Sequence, residues 1–259
     1  REKIVLDEGY ARSVVIQNGE DKYGYILLPD FYADFEREDG HRCSEDVAAE
    51  IKKLKAENVK GIVIDVRFNG GGSLYEVVQM AGLFIDKGLV VQIRNKEGRS
   101  QTLYDETPGI LYDGPLVVLT SRFSASASEI LAGALQDYGR AVVVGDSSTH
   151  GKGTVQNLQG LEPFYRGTGK PGQVKVTISK FFRPSGSSTQ LKGVVPDVVL
   201  PSINNFADIG ESALSNALPW NTISPVRFDK MDRVTRALPE LQRRSIDRLA
   251  KDRDYAYIG

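Results

Sequence analysis

The sequence predicts an α/β chain: a mixed, partly parallel sheet flanked by helices, with a helical C-terminal appendage. Three observations lead there. The apolar runs at 62–66, 116–120 and 141–145 read as strands buried on both faces, the habit of parallel strands. Helical spacing at 74–85 and from Ser126 onward separates them, and repeated strand–helix units imply a sheet with parallel members. After Pro201 the composition turns polar, with one further amphipathic pattern opened by Pro239. The expected division is a core over residues 1–200 and a partly helical extension over 201–259.

Taken in order, Ser13–Gln17 and Tyr23–Leu28 read as paired strands around an Asn18-Gly19 turn. Val47, Ile51 and Leu54 lie at helical spacing, which predicts a helix from Ser44, its cap, to about Ala56. A buried strand, the glycine turn Gly70-Gly71-Gly72 and a helix over Leu74–Ile85 follow. Val90–Arg94, Leu116–Thr120 and Ala141–Gly145 are the next strands. Val174–Phe181 alternates as a half-exposed strand and turns at Pro184-Ser185-Gly186. Residues 157–173, rich in Gly and Pro, predict a mobile loop near Lys152. Leu241, Ile246 and Leu249 mark the final helix.

With 259 residues and 41% apolar content the chain can bury a full core. A net charge of −1 argues against nucleic acid or an anionic membrane as the main partner. No apolar run reaches 18 residues, so no membrane span is expected, and no signal peptide is visible. A start at Arg1 without Met suggests a fragment of a longer, exported precursor. One cysteine excludes an internal disulfide. His41 and Cys43, in a polar loop without further ligands in reach, do not make a zinc site; no metal and no cofactor is expected.

Ser126 opens a helix, and Lys152 lies between Gly151 and Gly153. A buried lysine that loses its proton can serve as general base toward a serine hydroxyl, which suits a chain with only two histidines. Each half has a plain alternative: Ser126 with Glu129 fits a capping box, and a lysine between glycines fits a solvated turn. The strand–loop–helix junction favours chemistry, because helix N-terminal amides gather there and Ala125 and Ala127 leave room for a substrate backbone. Gly145 to Lys152 imitates a phosphate-binding loop, but five residues separate the glycines and a glycine follows the lysine. The glycine turn lacks the remaining glycine of a dinucleotide site. His150 reads as an exposed loop histidine rather than a triad member.

Gly61–Gly72, Ser121–Ile130, Gln136–Arg140, Gly151–Gln156 and Lys192–Asp197, in that order, resemble the carboxyl-terminal processing proteases. Asn216-Ala-Leu-Pro-Trp220 resembles their tail-specific branch. The similarity runs from about residue 20 to 222 and implies a crotonase-like or ClpP-like core and a serine endopeptidase with a Ser–Lys dyad, working in the periplasm or cell envelope. Its substrates would be proteins or peptides with accessible C-terminal tails. The resemblance assigns Ser126 as nucleophile, Lys152 as base, Gln156 as the residue that orients the lysine, and importance to Asp137. Oxyanion donors would be the N–H of Ala127 and one in the glycine tract, Gly71 with Gly72 as neighbour.

Spacing qualifies two of these. Asp137, eleven residues beyond Ser126, lies ~16 Å along a continuous helix and reads as an anchor of the helix end or as a turn former. Gln156 is ~13 Å along an extended strand from Lys152, so a bend or bulge at Gly153 is needed. The chain also departs from the family: no PDZ segment precedes the protease core, so either one lies upstream, which is the expectation, or substrates are recognised otherwise; and the 145–151 loop is one residue longer, with His150 in place of an aromatic. Lys152 is therefore expected out of reach of Ser126, or the glycine-tract amide turned away. The alternatives are a catalytically idle module that binds peptide tails and an acyl-CoA enzyme, whose basic cluster is missing.

Overall fold

The computed structural model describes residues 9–35, 37 and 40–258. Its elements follow from the apolar pattern. Strands β1 (Arg12–Asn18) and β2 (Asp21–Leu27) form an antiparallel hairpin. Helix α1 (Cys43–Ala56) buries Val47, Ile51 and Leu54. It begins one residue early: Arg42 stands at the N-cap, and the predicted cap Ser44 turns inward to donate to buried Glu76 at 2.7 Å. Cys43 is accordingly a core residue rather than a loop residue. Strand β3 (Ile62–Asp65) and helix α2 (Leu74–Gly82) follow, the latter ending three residues short of the predicted Ile85.

Strands β4 (Leu89–Asn95), β5 (Ser100–Tyr104) and β6 (Leu116–Thr120), helix α3 (Ala127–Asp137) and strand β7 (Val142–Gly145) complete the central region. Beyond it lie β8 (Thr154–Gly160), β9 (Gln173–Phe182), β10 (Val198–Val199), α4 (Leu238–Leu249) and α5 (Arg253–Ile258). One sheet has the order β1-β2-β3-β6-β7-β10, parallel from β2 to β10 with β1 antiparallel at its edge. The mixed, partly parallel sheet is the one the apolar runs predict. A second sheet, β5-β4-β9-β8, is antiparallel, and the apolar runs do not predict it.

That second sheet corrects the expectation for 157–173. Residues up to Gly160 pair with β9 instead of forming a loop, because Thr154–Gln159 has a ladder partner that only the fold supplies. Val174, Val176 and Ile178 are all exposed, so the first part of β9 projects as a hairpin arm, not a half-buried strand. The core lies between the main sheet and α1, α2 and α3, where Ile64, Val77, Met80, Val118, Leu131 and Leu135 are fully buried. Among the described residues, no helix is long and apolar enough to cross a membrane.

Candidate active site

Parallel strands deliver their C-terminal ends to one edge of the sheet, and there the loops after β3 and β6 are laced together. Ser124 Oγ donates to Val66 O at 2.6 Å, Ala125 N–H to Asn69 O at 3.1 Å, and Ser128 Oγ to Asn69 O at 2.9 Å. These bonds press the glycine turn against Ser126. A Cβ on Gly71 would stand 2.7 Å from Ser126 Cβ and 3.0 Å from Ala127 N, so only glycine fits.

Ser126 itself has φ +56° and ψ −111°, a backbone that costs a non-glycine residue of the order of 1–3 kcal/mol. An ordinary N-cap is extended, so Ser126 is more than the plain cap its sequence context allows. The sharp turn holds its side chain on the rim of a cavity of about 320 Å³, shared with Gly72, Ala127, Lys152 and Gln156. Leu74, Ile130, Val155 and Phe181 give that cavity an apolar wall. As the first residue of α3, Ala127 has an N–H with no acceptor inside the helix.

Glu129 organises the centre. Its carboxylate, wholly buried, accepts the Ser126 N–H at 2.9 Å, the Lys152 N–H at 2.9 Å, the Gly151 N–H at 2.7 Å and the Thr149 hydroxyl at 2.5 Å. Burial pushes its pKa up to about 7, against those four bonds, which favour the ionised form. The sequence shows Glu129 only as a capping partner, because Ser-x-x-Glu spacing reveals nothing of burial or of bonds to residues twenty positions away.

Lys152 is half-buried, and desolvation holds its ammonium below the usual lysine range. The like charge of Lys175 adds to that, while Glu211 and Glu129 oppose it. No hydrogen bond joins Lys152 Nζ to Ser126 Oγ among the described residues. The Gly71 N–H is given to Asn69 Oδ1 at 2.9 Å. The sequence leads to either feature as an expectation, and the structure has both: no Ser126–Lys152 hydrogen bond among the described residues and a Gly71 amide turned to Asn69. In the short bridge of Gly72 with Phe31, Phe31 N–H donates to Gly71 O and Ser73 N–H to Phe31 O, so the Gly72 N–H takes no part.

Gln156 reaches the same cavity as Lys152 through a bulge, but the register shift falls between Val155 and Gln156 rather than at Gly153. Asp137 does not reach it. At the far end of α3 it accepts from the Arg183 guanidinium and from the Ser185 N–H, the latter at 3.1 Å, which fastens the helix end to the turn after β9. His150 is half-buried rather than exposed, its Nδ1 without a partner, and burial lowers its pKa. His41 stacks on Tyr10 and pairs with Asp46 at 3.0 Å.

Residues 22–200 match the family described as peptidase family S41, and residues 205–259 match the C-terminal domain of tail specific protease. The tail-specific protease of Haemophilus influenzae is 36% identical over 263 residues, covering 100% of this chain and 36% of that protein. The carboxy-terminal-processing protease of Bartonella bacilliformis is 38% identical over 186 residues, 70% of this chain and 39% of its own. The chain thus spans well under half the length of these relatives. Among solved structures, the photosystem II D1 C-terminal processing protease superposes with a TM-score of 0.62 at 28% identity, over 77% of this chain and 49% of that one. Mature CPAF, at 16% identity and a TM-score of 0.58 over 90% of this chain and 53% of its own, shares the fold.

Proposed function

Since the chain belongs to peptidase family S41, we propose that it works as a serine endopeptidase in which Ser126 is the nucleophile and Lys152 the general base. The observation that carries this reading is Ser126 in strained backbone on the rim of the cavity that Lys152 also lines. Strain of that kind persists only where surrounding structure enforces it, and it gathers at functional sites.

In the proposed reaction the neutral Lys152 amine takes the Ser126 proton as Oγ attacks a peptide carbonyl. The Ala127 N–H and a glycine-tract N–H stabilise the oxyanion. Because Gly71 gives its N–H to Asn69, Gly72 is the glycine whose amide is available in this arrangement, and Gly71 becomes so once Asn69 lets go. The leaving amine takes the proton from Lys152; a water then gives its proton to Lys152 as it attacks the ester, and Lys152 returns that proton to Ser126 Oγ as the acid product leaves. Gln156 orients the lysine, and Asp137 supports the helix end.

The names of the relatives support substrates cut near or from their C-termini; a periplasmic or envelope location and a PDZ domain elsewhere in the full-length protein belong to the proposal as what the resemblance of the sequence motifs implies. The core over 1–200 and the extension over 201–259 are proposed as its two units. A fluorophosphonate probe tests the reading: it should label Ser126, and an unfolded protein with an apolar C-terminal tail should be cleaved. A protein that cleaves this substrate with Ser126 unlabelled and replaceable by alanine overturns it. A second reading, a peptide-tail-binding module without turnover, is favoured by the committed Gly71 amide and the missing Ser126–Lys152 bond. Tail binding without labelling or cleavage would establish it.

A further inference from the structure

We propose that Glu211, from the stretch matched to the C-terminal domain, is a positioning residue for Lys152, gripping the chain on both sides of it. The inference rests on the Ser126–Lys152 reading above. On the near side, the Glu211 N–H donates to His150 O at 2.8 Å. On the far side, the Glu211 carboxylate accepts from Gln190 Nε2 at 3.0 Å, and Gln190 Oε1 accepts the Gly153 N–H at 2.8 Å. Gln190 is wholly buried, so each end of its amide needs this partner. The stretch 150–153 is thus held at its first and last residues by one carboxylate-bearing residue.

The fit is close enough to exclude side chains. A Cβ on Gly210 would stand 2.6 Å from His150 O, and one on Gly153 would stand 2.7 Å from Gln190 N. Between the two grips, Leu191 N–H donates to Gly151 O at 2.8 Å and Thr189 Oγ1 to Lys152 O at 3.2 Å. Arg122 adds a brace, donating to Ile209 O, to Ser148 Oγ and to Thr149 O. Glu129 holds the Gly151 and Lys152 amides from the side of α3. Without Glu211 those bonds remain, but the Gln190 amide that holds the Gly153 N–H loses its own partner and the His150 carbonyl loses the Glu211 N–H.

Charge makes the role testable. The groups facing Lys152 are Glu211 from the C-terminal stretch, Glu129 from α3, Lys175 from β9 and His150 two residues away, with Arg122 facing His150. The two carboxylates favour the ammonium, and burial and Lys175 favour the free amine. Glu211→Gln keeps an oxygen to accept from Gln190 and removes only the charge. A purely structural Glu211 would leave the titration of Lys152 unmoved by that change.

The experiment uses the intact protein with Glu211 as wild type, Glu211→Gln and Glu211→Ala. Acetic anhydride labels amines in competition across a pH series, and peptide mass spectrometry reads the acetylation of Lys152. The pH dependence of kcat/KM on an unfolded substrate is measured beside it. In Glu211→Gln both the Lys152 titration and the rising limb of the rate should move to lower pH by the same amount. In Glu211→Ala the limiting kcat should also fall, by roughly tenfold or more, as expected of a displaced catalytic group. Lys152 titrations that superimpose on wild type in Glu211→Gln overturn the proposal. A titration that moves while the pH–rate profile stays put upholds Glu211 and removes Lys152 as the base. Glu211→Gln keeps the side chain's shape and its acceptor, so the test survives a Glu211→Ala that fails to fold.

Discussion

The Glu129 carboxylate accepts the Lys152 backbone N–H at 2.9 Å across 23 residues of sequence. The same oxygen, Oε2, accepts the Ser126 N–H, so one buried group fixes the backbone at both proposed catalytic positions. Donors surround it on every side, and a substitution that brings its own N–H hydrogens cannot serve them.

Glu129→Gln should therefore lower kcat by about 100-fold, since one amide end meets N–H groups it cannot accept. Its pH signature follows from a folded pKa of about 7 against an ordinary 4.5. Between those values the folded chain keeps a proton that the unfolded chain releases. Stability therefore falls as pH rises through that window, by the order of 3 kcal/mol, and the loss is complete above about 7. Urea midpoints from about pH 5 to about pH 8 should show this slope in wild type and not in Glu129→Gln. Equal slopes would remove the assignment.

Ser126→Ala should abolish cleavage and leave the fold intact. Ser126→Gly should be equally inactive yet more stable than Ser126→Ala by about 1 kcal/mol, because glycine adopts φ +56° without strain. Thermal melts of the two variants decide this, and equal melting temperatures would mean the backbone there is unstrained.

Lys152→Arg should be inactive, since a guanidinium does not release its proton at any working pH. In wild type the rate should rise with pH through an apparent pKa below the ordinary lysine value, because burial disfavours the ammonium. A pH–rate profile of kcat/KM checks the direction, and a rate that falls over the same range contradicts it.

Gly71→Ala should lose about 100-fold or more in kcat/KM. The added methyl group meets Ser126 Cβ at 2.7 Å, and φ is +108° there, so about 1–3 kcal/mol of stability should go as well. Assay and melt of one preparation measure both losses. A variant with normal activity would show that the glycine turn does not abut the nucleophile.

Asp137→Asn should act on stability. Its partner Arg183 is mostly buried, and an unpaired guanidinium there costs about 2 kcal/mol, less than for a wholly enclosed pair. The folded fraction should keep its kcat. Lost turnover at unchanged stability would instead give Asp137 a direct part in the reaction.

The sequence by itself determined the central strands β3, β6 and β7, the buried faces of α1 and α2, and the pairing of Ser126 with Lys152 as the residues of interest. These are local signals: apolar periodicity records which face is buried, and residue type records what chemistry is available. The tertiary structure alone decided the left-handed backbone of Ser126, the Gly71–Ser126 contact, the β8–β9 ladder and the grips of Glu129, Gln190 and Glu211 on the lysine. Those depend on partners brought together from separate segments of the chain. A hydrogen bond across 37 residues, such as that of Gly153 to Gln190, leaves no periodic trace in either segment. Its energy exists only once the sheet has closed around it and water has left.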